Sequence, residues 1–162
     1  ILLLYPSRKE HNSMVISRIL PVAATDFVIK HNISGNMFNT YHYGGYLIYR
    51  LYPRQRVFIY GRTDIYPKSF ITEYREMYRG GGNWKQYFYK HNIDYVLCEN
   101  LSPLRQLLLN NGDFKLVFDD GKHSVLLKDT ARFQQLIKQY APGLQTHDMG
   151  SIALSSSNES EG

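Results

Sequence analysis

The stretch GNMFNTYHYGGYLIYRLYP, residues 35–53, contains a short strand-like run, a glycine turn and an apolar-periodic run that stops at a proline. The length of the first run and the helical spacing of the second predict a strand over 36–40 followed directly by a helix over 45–52. Adjacent glycines cost backbone entropy wherever the chain is ordered. The turn must therefore gain something from having no side chains at Gly44 and Gly45.

The same order of elements recurs along the chain. The tetrapeptide KHNI occurs at 30–33 and at 90–93, each time after an apolar-periodic stretch and before a strand-like run. Lysine and histidine suit the negative end of a helix dipole, and asparagine just past the end can adopt the left-handed conformation that closes a helix. Gly112 is a third cap of this kind. The repeated order of helix, cap and strand predicts α/β packing with mostly parallel strands.

The predicted fold is a Rossmann-like three-layer α/β sandwich, with a mostly parallel sheet and a C-terminal antiparallel hairpin. The hairpin rests on the turn signal Asp120-Gly121. The predicted helices cover 21–31, 45–52, 68–79, 83–91, 102–110 and 131–141. The predicted strands cover 36–40, 56–60, 94–98, 114–118 and 123–127.

The 162 residues suit one domain with its own core. We predict a membrane-proximal arm over 1–20, a single α/β domain over 21–142 and a disordered tail over 143–162. The opening ILLLY is too short to cross a bilayer, which needs about 20 apolar residues. From the residues alone, the last turn of a span is as good an interpretation as an edge strand or a buried start of the domain.

The composition predicts a globular body with an amphipathic surface. Hydrophobic residues make up 43% and charged residues 20%, and there are 14 tyrosines, which bury a ring and keep a hydroxyl in water. The net charge of +5 permits nucleic acid, anionic lipid or phosphate-bearing ligands. The single cysteine, Cys98, excludes an intramolecular disulfide framework and is predicted to be buried. The positive charges are densest at Arg50, Arg54, Arg56 and Arg62.

Polar residues follow three of the predicted strands. In an open parallel sheet, ligands bind beyond the carboxyl ends of the strands, so we expect these segments to meet at one edge. The glycine pair would let the turn approach its neighbours and would bare the first amides of the helix to an anion. An alternative is that Arg62 and Asp64 pair with each other as a structural brace. The candidate binding residues are Tyr41, His42, Tyr43, Gly44, Gly45, Arg62, Asp64, Glu99 and Asn100.

Familiar catalytic and cofactor motifs do not occur in the sequence. There is no GxGxxG after a strand, no HExxH, no GxSxG and no CxxC, and the glycines at 80–82 lack the Lys-Ser/Thr of a phosphate-binding loop. We therefore predict no catalytic residue, no metal and no cofactor. The stretch 50–62 interleaves basic and aromatic residues, but its VFIY core is typical of a buried parallel strand, so nucleic acid is not predicted as a partner.

Three segments within about residues 21–129 carry a resemblance to one family. In this order they are GNMFNTYHYGGYLIYRLYPRQRVFIYGRTDIY, WKQYFYKHNIDYVLCEN and LLLNNGDFKLVFDDGKHSVLLKD. The domain that the chain resembles is the soluble C-terminal, extracytoplasmic domain of bacterial polytopic membrane proteins related to GT-C-type, dolichyl-phosphate-mannose-like glycosyltransferases. Tyr60 stands where the family pattern often has Asp before Gly-Arg, and Tyr49 stands where a Trp commonly follows GGYLI.

The resemblance implies a non-catalytic domain on the periplasmic side of the cell membrane that positions an acceptor or the assembly. The catalytic machinery would lie in the membrane-embedded remainder of the same polypeptide, which becomes the first expected partner. A lipid-phosphate sugar donor and a glycan or protein acceptor are the others, and ILLLY becomes the remnant of a span. Two alternatives stay open: a free-standing Rossmann-like binder or enzyme for a phosphorylated or nucleotide-sugar ligand, and an interaction module with a tyrosine-rich face.

Overall fold

The computed structural model describes residues 19–143. The predicted arm over 1–20, with its ILLLY opening, and the predicted tail over 143–162 lie almost entirely outside these described residues. Within the described range, no helix has the length and apolar character needed to cross a membrane.

Helices and strands occur where the sequence predicts them, with ends shifted by a few residues at most, except for the strand predicted over 56–60. Single turns of 3-10 helix lie at Tyr41–Tyr43, Thr63–Ile65 and Ala131–Phe133. The helices are α1 (Val22–Lys30), α2 (Gly44–Leu51), α3 (Lys68–Arg79), α4 (Trp84–Lys90), α5 (Pro103–Asn111) and α6 (134–143). The strands are β1 (Met37–Asn39), β2 (Tyr95–Glu99), β3 (Phe114–Asp119) and β4 (His123–Lys128).

The helix ends follow the signals in the sequence. Asn32 and Asn92, one in each KHNI copy, have φ values of 49° and 48°. Gly80 and Gly112 cap α3 and α5 with φ values of 69° and 78°. Residues in this left-handed conformation stop a helix and turn the chain away from its axis, so the predicted caps at Asn32, Asn92 and Gly112 are confirmed, whereas the cap at Gly80 was not predicted.

The sheet is mixed, which corrects the prediction of mostly parallel strands. Its four strands lie in the order β1-β2-β4-β3. β1 and β2 are parallel, whereas β4 is antiparallel to both β2 and β3. The physical reason is the connection over 120–122, because so short a link joins only antiparallel neighbours. Because β4 also lies between β3 and β2, two of the three strand pairs are antiparallel, and the chain is a mixed α/β fold.

Hydrophobic clusters lie on both faces of the sheet. Tyr95 and Leu97 of β2 belong to one cluster, with residues of α1, α2 and α6. Val96 and Cys98 belong to the other, with residues of α3, α4 and α5. Burial on both faces explains why β2 reads as a continuous apolar run. Cys98 is buried, as predicted, and this burial raises the pKa of its thiol to about 12.

The segment 56–60 forms no strand and does not join the sheet, so the prediction of a strand there is wrong. The side chain of Asn39, at the end of edge strand β1, holds it instead. Asn39 Oδ1 accepts hydrogen bonds from the amides of Phe58 at 2.8 Å and Ile59 at 3.4 Å. Asn39 Nδ2 donates to the carbonyl of Ile59 at 2.9 Å. One buried side chain thus replaces the backbone ladder of a further strand.

Gly44 allows α2 to begin against the segment 56–60. A Cβ atom at Gly44 would lie 2.2 Å from the carbonyl oxygen of Ile59 and 2.5 Å from the Cα of Tyr60. At Gly45, no heavy atom lies within 4 Å of the corresponding position. Close approach of the backbone, one of the two reasons suggested for the glycine pair, therefore applies to Gly44 alone.

Candidate functional site

Two of the three predicted polar segments meet at the carboxyl ends of β1 and β2. Because these strands are adjacent and parallel, the turn after β1 lies beside the end of β2. His42 Nε2 lies 2.9 Å from Glu99 Oε1, and both side chains are partly exposed. A pocket of about 330 Å³ opens at this point, and we call it the carboxyl-edge pocket. Its lining consists of Ile19, His42, Glu99, Asn100, Leu101, Gly121, Lys122 and His123.

The carboxylate of Glu99 is held from two sides. His42 lies at one oxygen, and the hydroxyl of Tyr78 on α3 donates a hydrogen bond to the other at 3.1 Å. Burial, and next the charge of Glu99, raise the pKa of Tyr78 to about 12. The phenol therefore keeps its proton at neutral pH and remains a donor. Glu99 is thus oriented as an acceptor before any ligand arrives.

Asn100 belongs to a hydrogen-bonded network beneath the pocket. Its Nδ2 donates to Asp119 Oδ1 at 2.6 Å, and its Oδ1 accepts from the hydroxyl of Ser124. Arg105 donates to Asp119 Oδ2 at 2.8 Å and to Ser124 Oγ at 2.9 Å. The Arg105 side chain is buried, and such a charge is stable only with its partners in place. These contacts give Asn100 the role of fixing the loop after β2.

The start of β4 forms the other side of the pocket. Antiparallel pairing places His123 opposite Glu99. Asp120 Oδ1 accepts the amides of Lys122 at 2.9 Å and His123 at 2.7 Å, and its Oδ2 lies 3.1 Å from His123 Nδ1. Burial alone would raise the pKa of Asp120, but these hydrogen bonds outweigh it and lower the pKa. Within residues 19–143, no carboxylate forms an ion pair with the ammonium of Lys122.

Tyr43 is fully buried next to the two histidines of the pocket. Its ring centroid lies 4.7 Å from that of His42 and 5.6 Å from that of His123. In the described part of the chain its hydroxyl has no hydrogen-bond partner, and burial raises its pKa. An unsatisfied buried hydroxyl is unfavourable by about 1–3 kcal/mol. The packing of the Tyr43 ring must outweigh this cost, so the ring contacts hold the side chain in place.

The turn over Tyr41–Tyr43 offers few free amides. The amide of Tyr41 donates to the hydroxyl of Tyr74 at 2.8 Å. The amides of Tyr43 and Gly44 donate to the carbonyls of Thr40 and Tyr41. The second suggested reason for the glycine pair, amides left bare for an anion, therefore does not apply to the amide of Gly44.

Arg62 and Asp64 lie outside the carboxyl-edge pocket. They are exposed and form a bidentate pair, with Nε–Oδ1 and Nη2–Oδ2 distances of 3.1 Å and 3.0 Å. This is the mutual pairing considered as an alternative in the sequence. Tyr41 contacts the residue before this pair, because its hydroxyl donates to the carbonyl of Gly61 at 3.2 Å. The expected meeting of three segments is thus realised for two of them.

The sequence did not point to Tyr78, Lys122 or His123. The last two were missed because a mostly parallel sheet would not bring the start of β4 to the end of β2. The signal that could have found them is the Asp120-Gly121 turn, because a strand that folds back there can pair with β2 as well as β3. Tyr78 follows Tyr74 by one helical turn, and this spacing put both on one face of α3.

We expect Tyr78→Phe to make stability less sensitive to alkaline pH. The pKa of Tyr78 is ordinarily 10 and is about 12 in the folded protein, so the unfolded chain loses this proton first. Its contribution to stability is present below pH 10 and is lost as the pH rises to about 12. Urea unfolding at stepped pH gives the free energy of unfolding as a function of pH. Between pH 10 and 12 this free energy should fall less steeply for Tyr78→Phe than for the unchanged protein, by an amount equivalent to at most one proton. The control is the exposed Tyr49→Phe, and equal slopes in both variants would contradict the prediction.

Comparison of the chain with protein-family models, with curated proteins and with solved structures finds no match. The assignment of function therefore depends on the geometry of the carboxyl-edge pocket and on the resemblance of the three sequence segments.

Proposed function

We propose that the chain is a non-catalytic, extracytoplasmic domain of a membrane glycosyltransferase-like protein. In this proposal its carboxyl-edge pocket positions a hydroxyl-rich acceptor, such as a glycan. The observation that carries the proposal is the contact of 2.9 Å between His42 and Glu99 at the ends of two parallel strands. The resemblance of the three segments supports the membrane-bound parent, whose embedded remainder would be the first partner.

The polar groups of the pocket suit hydroxyl ligands, because a hydroxyl both donates and accepts hydrogen bonds. Glu99 supplies an oriented acceptor, and Lys122 supplies a donor that has no ion-pair partner within residues 19–143. Leu101, whose side chain is almost fully exposed, provides an apolar wall for the C–H face of a sugar ring. A few placed polar groups beside an apolar wall are typical of small-molecule sites.

A free-standing binder or enzyme for a phosphorylated or nucleotide-sugar ligand is the second candidate. Lys122 and two histidines in the lining favour it. The carboxylate of Glu99 in the same lining disfavours it, because a phosphate would lie beside a like charge. Arg62, the guanidinium expected near the pocket, is already paired with Asp64. We also propose that the fold is Rossmann-like and three-layered, which the hydrophobic clusters on both faces of the sheet support.

We expect simple glycosides to perturb the pocket in solution. The ¹⁵N-labelled protein would be titrated with methyl glycosides of mannose, glucose, galactose and N-acetylglucosamine, and separately with inorganic phosphate and UDP. Glycosides should shift the amide signals of His42, Asn100 and Lys122. Glu99→Gln should weaken binding about tenfold, because a hydrogen bond to a charged group contributes about 1.5–3 kcal/mol.

The matched control is Asp64→Asn, which makes the same charge change outside the pocket and should leave glycoside binding unchanged. Shifts with phosphate or UDP, and none with glycosides, would support the second candidate instead. The acceptor-binding role would be refuted if no glycoside shifted the pocket signals, or if Asp64→Asn weakened binding as much as Glu99→Gln.

A further inference from the structure

A second surface lies near the start of β1, at the other end of this strand from the carboxyl-edge pocket. The C-terminal ends of α1 and α2 enclose a cleft of about 540 Å³, whose lining residues fall within 28–34 and 50–55. Ser34 in this lining precedes β1 by a few residues, whereas His42 follows β1. The cleft and the carboxyl-edge pocket are therefore separate, and we call the former the arginine cleft.

The segment that forms the arginine cleft carries cations and no acid. From 27 to 63 the sequence has no Asp and no Glu. Asp26, just before this segment, forms an ion pair with Arg50 at 2.5 Å. Arg54 and Arg56 are exposed, and no carboxylate in the described range pairs with either. The cations of the segment are Lys30, Arg50, Arg54, Arg56 and Arg62.

Exposed aromatic rings lie close to these arginines in the sequence, with Tyr52 and Arg54 in the lining of the cleft and Tyr49 and Arg56 outside it. Tyr49 is 83% exposed and Tyr52 is 73% exposed, whereas the floor of the cleft contains the buried side chains of Val28 and Leu51. Tyrosine has an apolar ring and a polar tip, a combination enriched at membrane–water interfaces. Arginine can lay its apolar stem along such a surface and keep its guanidinium in the headgroup layer.

We propose that this face docks on an anionic phospholipid surface, with Arg54 and Arg56 at the phosphates and Tyr49 and Tyr52 in the headgroup layer. Charge complementarity favours this occupant, because the segment 27–63 joins positive charge to protruding rings and contains no acidic residue, and its neighbour Asp26 is already paired with Arg50. A bilayer accepts protruding rings without a matching cavity, which a folded partner would need. The inference does not depend on the ligand of the carboxyl-edge pocket, and a free-standing protein could dock in the same way.

The test is co-sedimentation with large vesicles of one part phosphatidylglycerol to two parts phosphatidylcholine, and with vesicles of phosphatidylcholine alone. The protein should bind the anionic vesicles more tightly, and added salt should weaken binding. Replacing both Arg54 and Arg56 by Ala should weaken binding about 25-fold, because each basic residue near an anionic surface contributes about fivefold. Replacing both Tyr49 and Tyr52 by Ala should weaken binding to either vesicle.

The matched control replaces Arg75 and Arg79, exposed on α3, by Ala and removes the same charge elsewhere. Equal losses in the two arginine double variants would overturn the proposal, because net charge alone would explain them. Equal binding to both kinds of vesicle would overturn it too. So would competition by free glycerol phosphate at a concentration close to that of the phosphatidylglycerol in the assay. Glu99→Gln, which tests the acceptor-binding role, should keep full vesicle binding. A failure of that role is therefore distinguishable from a failure of lipid docking.

Discussion

Gly44→Ala is expected to lower the free energy of unfolding by about 3 kcal/mol or more, whereas Gly45→Ala should raise it by about 0.5 kcal/mol. A methyl group at Gly44 would meet the carbonyl oxygen of Ile59 at 2.2 Å and the Cα of Tyr60 at 2.5 Å. Both atoms belong to the backbone, so no side chain can rotate away, and the effect should reach the upper end of overpacking penalties.

The two neighbouring glycines form a matched pair. Gly44 has helical dihedrals, φ −53° and ψ −44°, so alanine is compatible with its backbone and only the contact is at stake. At Gly45 the position of a Cβ is open, and alanine restricts the unfolded chain more than glycine does. Urea unfolding of the two variants measures the difference. Similar stabilities would contradict the close packing of α2 on the segment 56–60.

Helix and strand positions could be read from the sequence because their signals are local. The caps at Asn32, Asn92 and Gly112 need only the backbone conformation of one residue. The position of β4 is different: the local Asp120-Gly121 turn predicts that it is antiparallel to β3, but a strand that is buried on both faces reads as an apolar run whichever other strand it pairs with. Its place beside β2 depends on contacts between residues far apart in the chain, which no local pattern contains.

The residues of the candidate site also differ in whether a local sequence signal could place them. His42 and Glu99 could be brought together from the sequence, because each follows a strand and the two strands are adjacent and parallel. Tyr78 and His123 reach the pocket from a helix on one face and from an antiparallel neighbour. Arg62 was expected at the same edge because 56–60 reads as a strand, and it lies apart because that segment does not enter the sheet.

Asn39→Ala is expected to lower the free energy of unfolding by about 3 kcal/mol. The Asn39 side chain is fully buried and serves the amides of Phe58 and Ile59 and the carbonyl of Ile59. Each buried backbone group left without a partner is unfavourable by about 1–3 kcal/mol. The expected loss lies below the sum, because part of 56–60 can move out to water. Urea unfolding measures it, and the exposed Asn83→Ala, whose side chain does not cap α4, is the control.

Hydrogen exchange locates the origin of this loss. If Asn39 replaces a backbone ladder, the amides of Phe58 and Ile59 should exchange faster in Asn39→Ala than the loss of global stability explains. The amides of β2 should follow the global stability alone, because their partners in β1 and β4 remain. Asn39→Asp keeps the acceptor oxygen and loses the donor to Ile59, so it should retain protection at Phe58 better than Asn39→Ala. Uniform changes across all these amides would mean that 56–60 is held by its apolar contacts and not by Asn39.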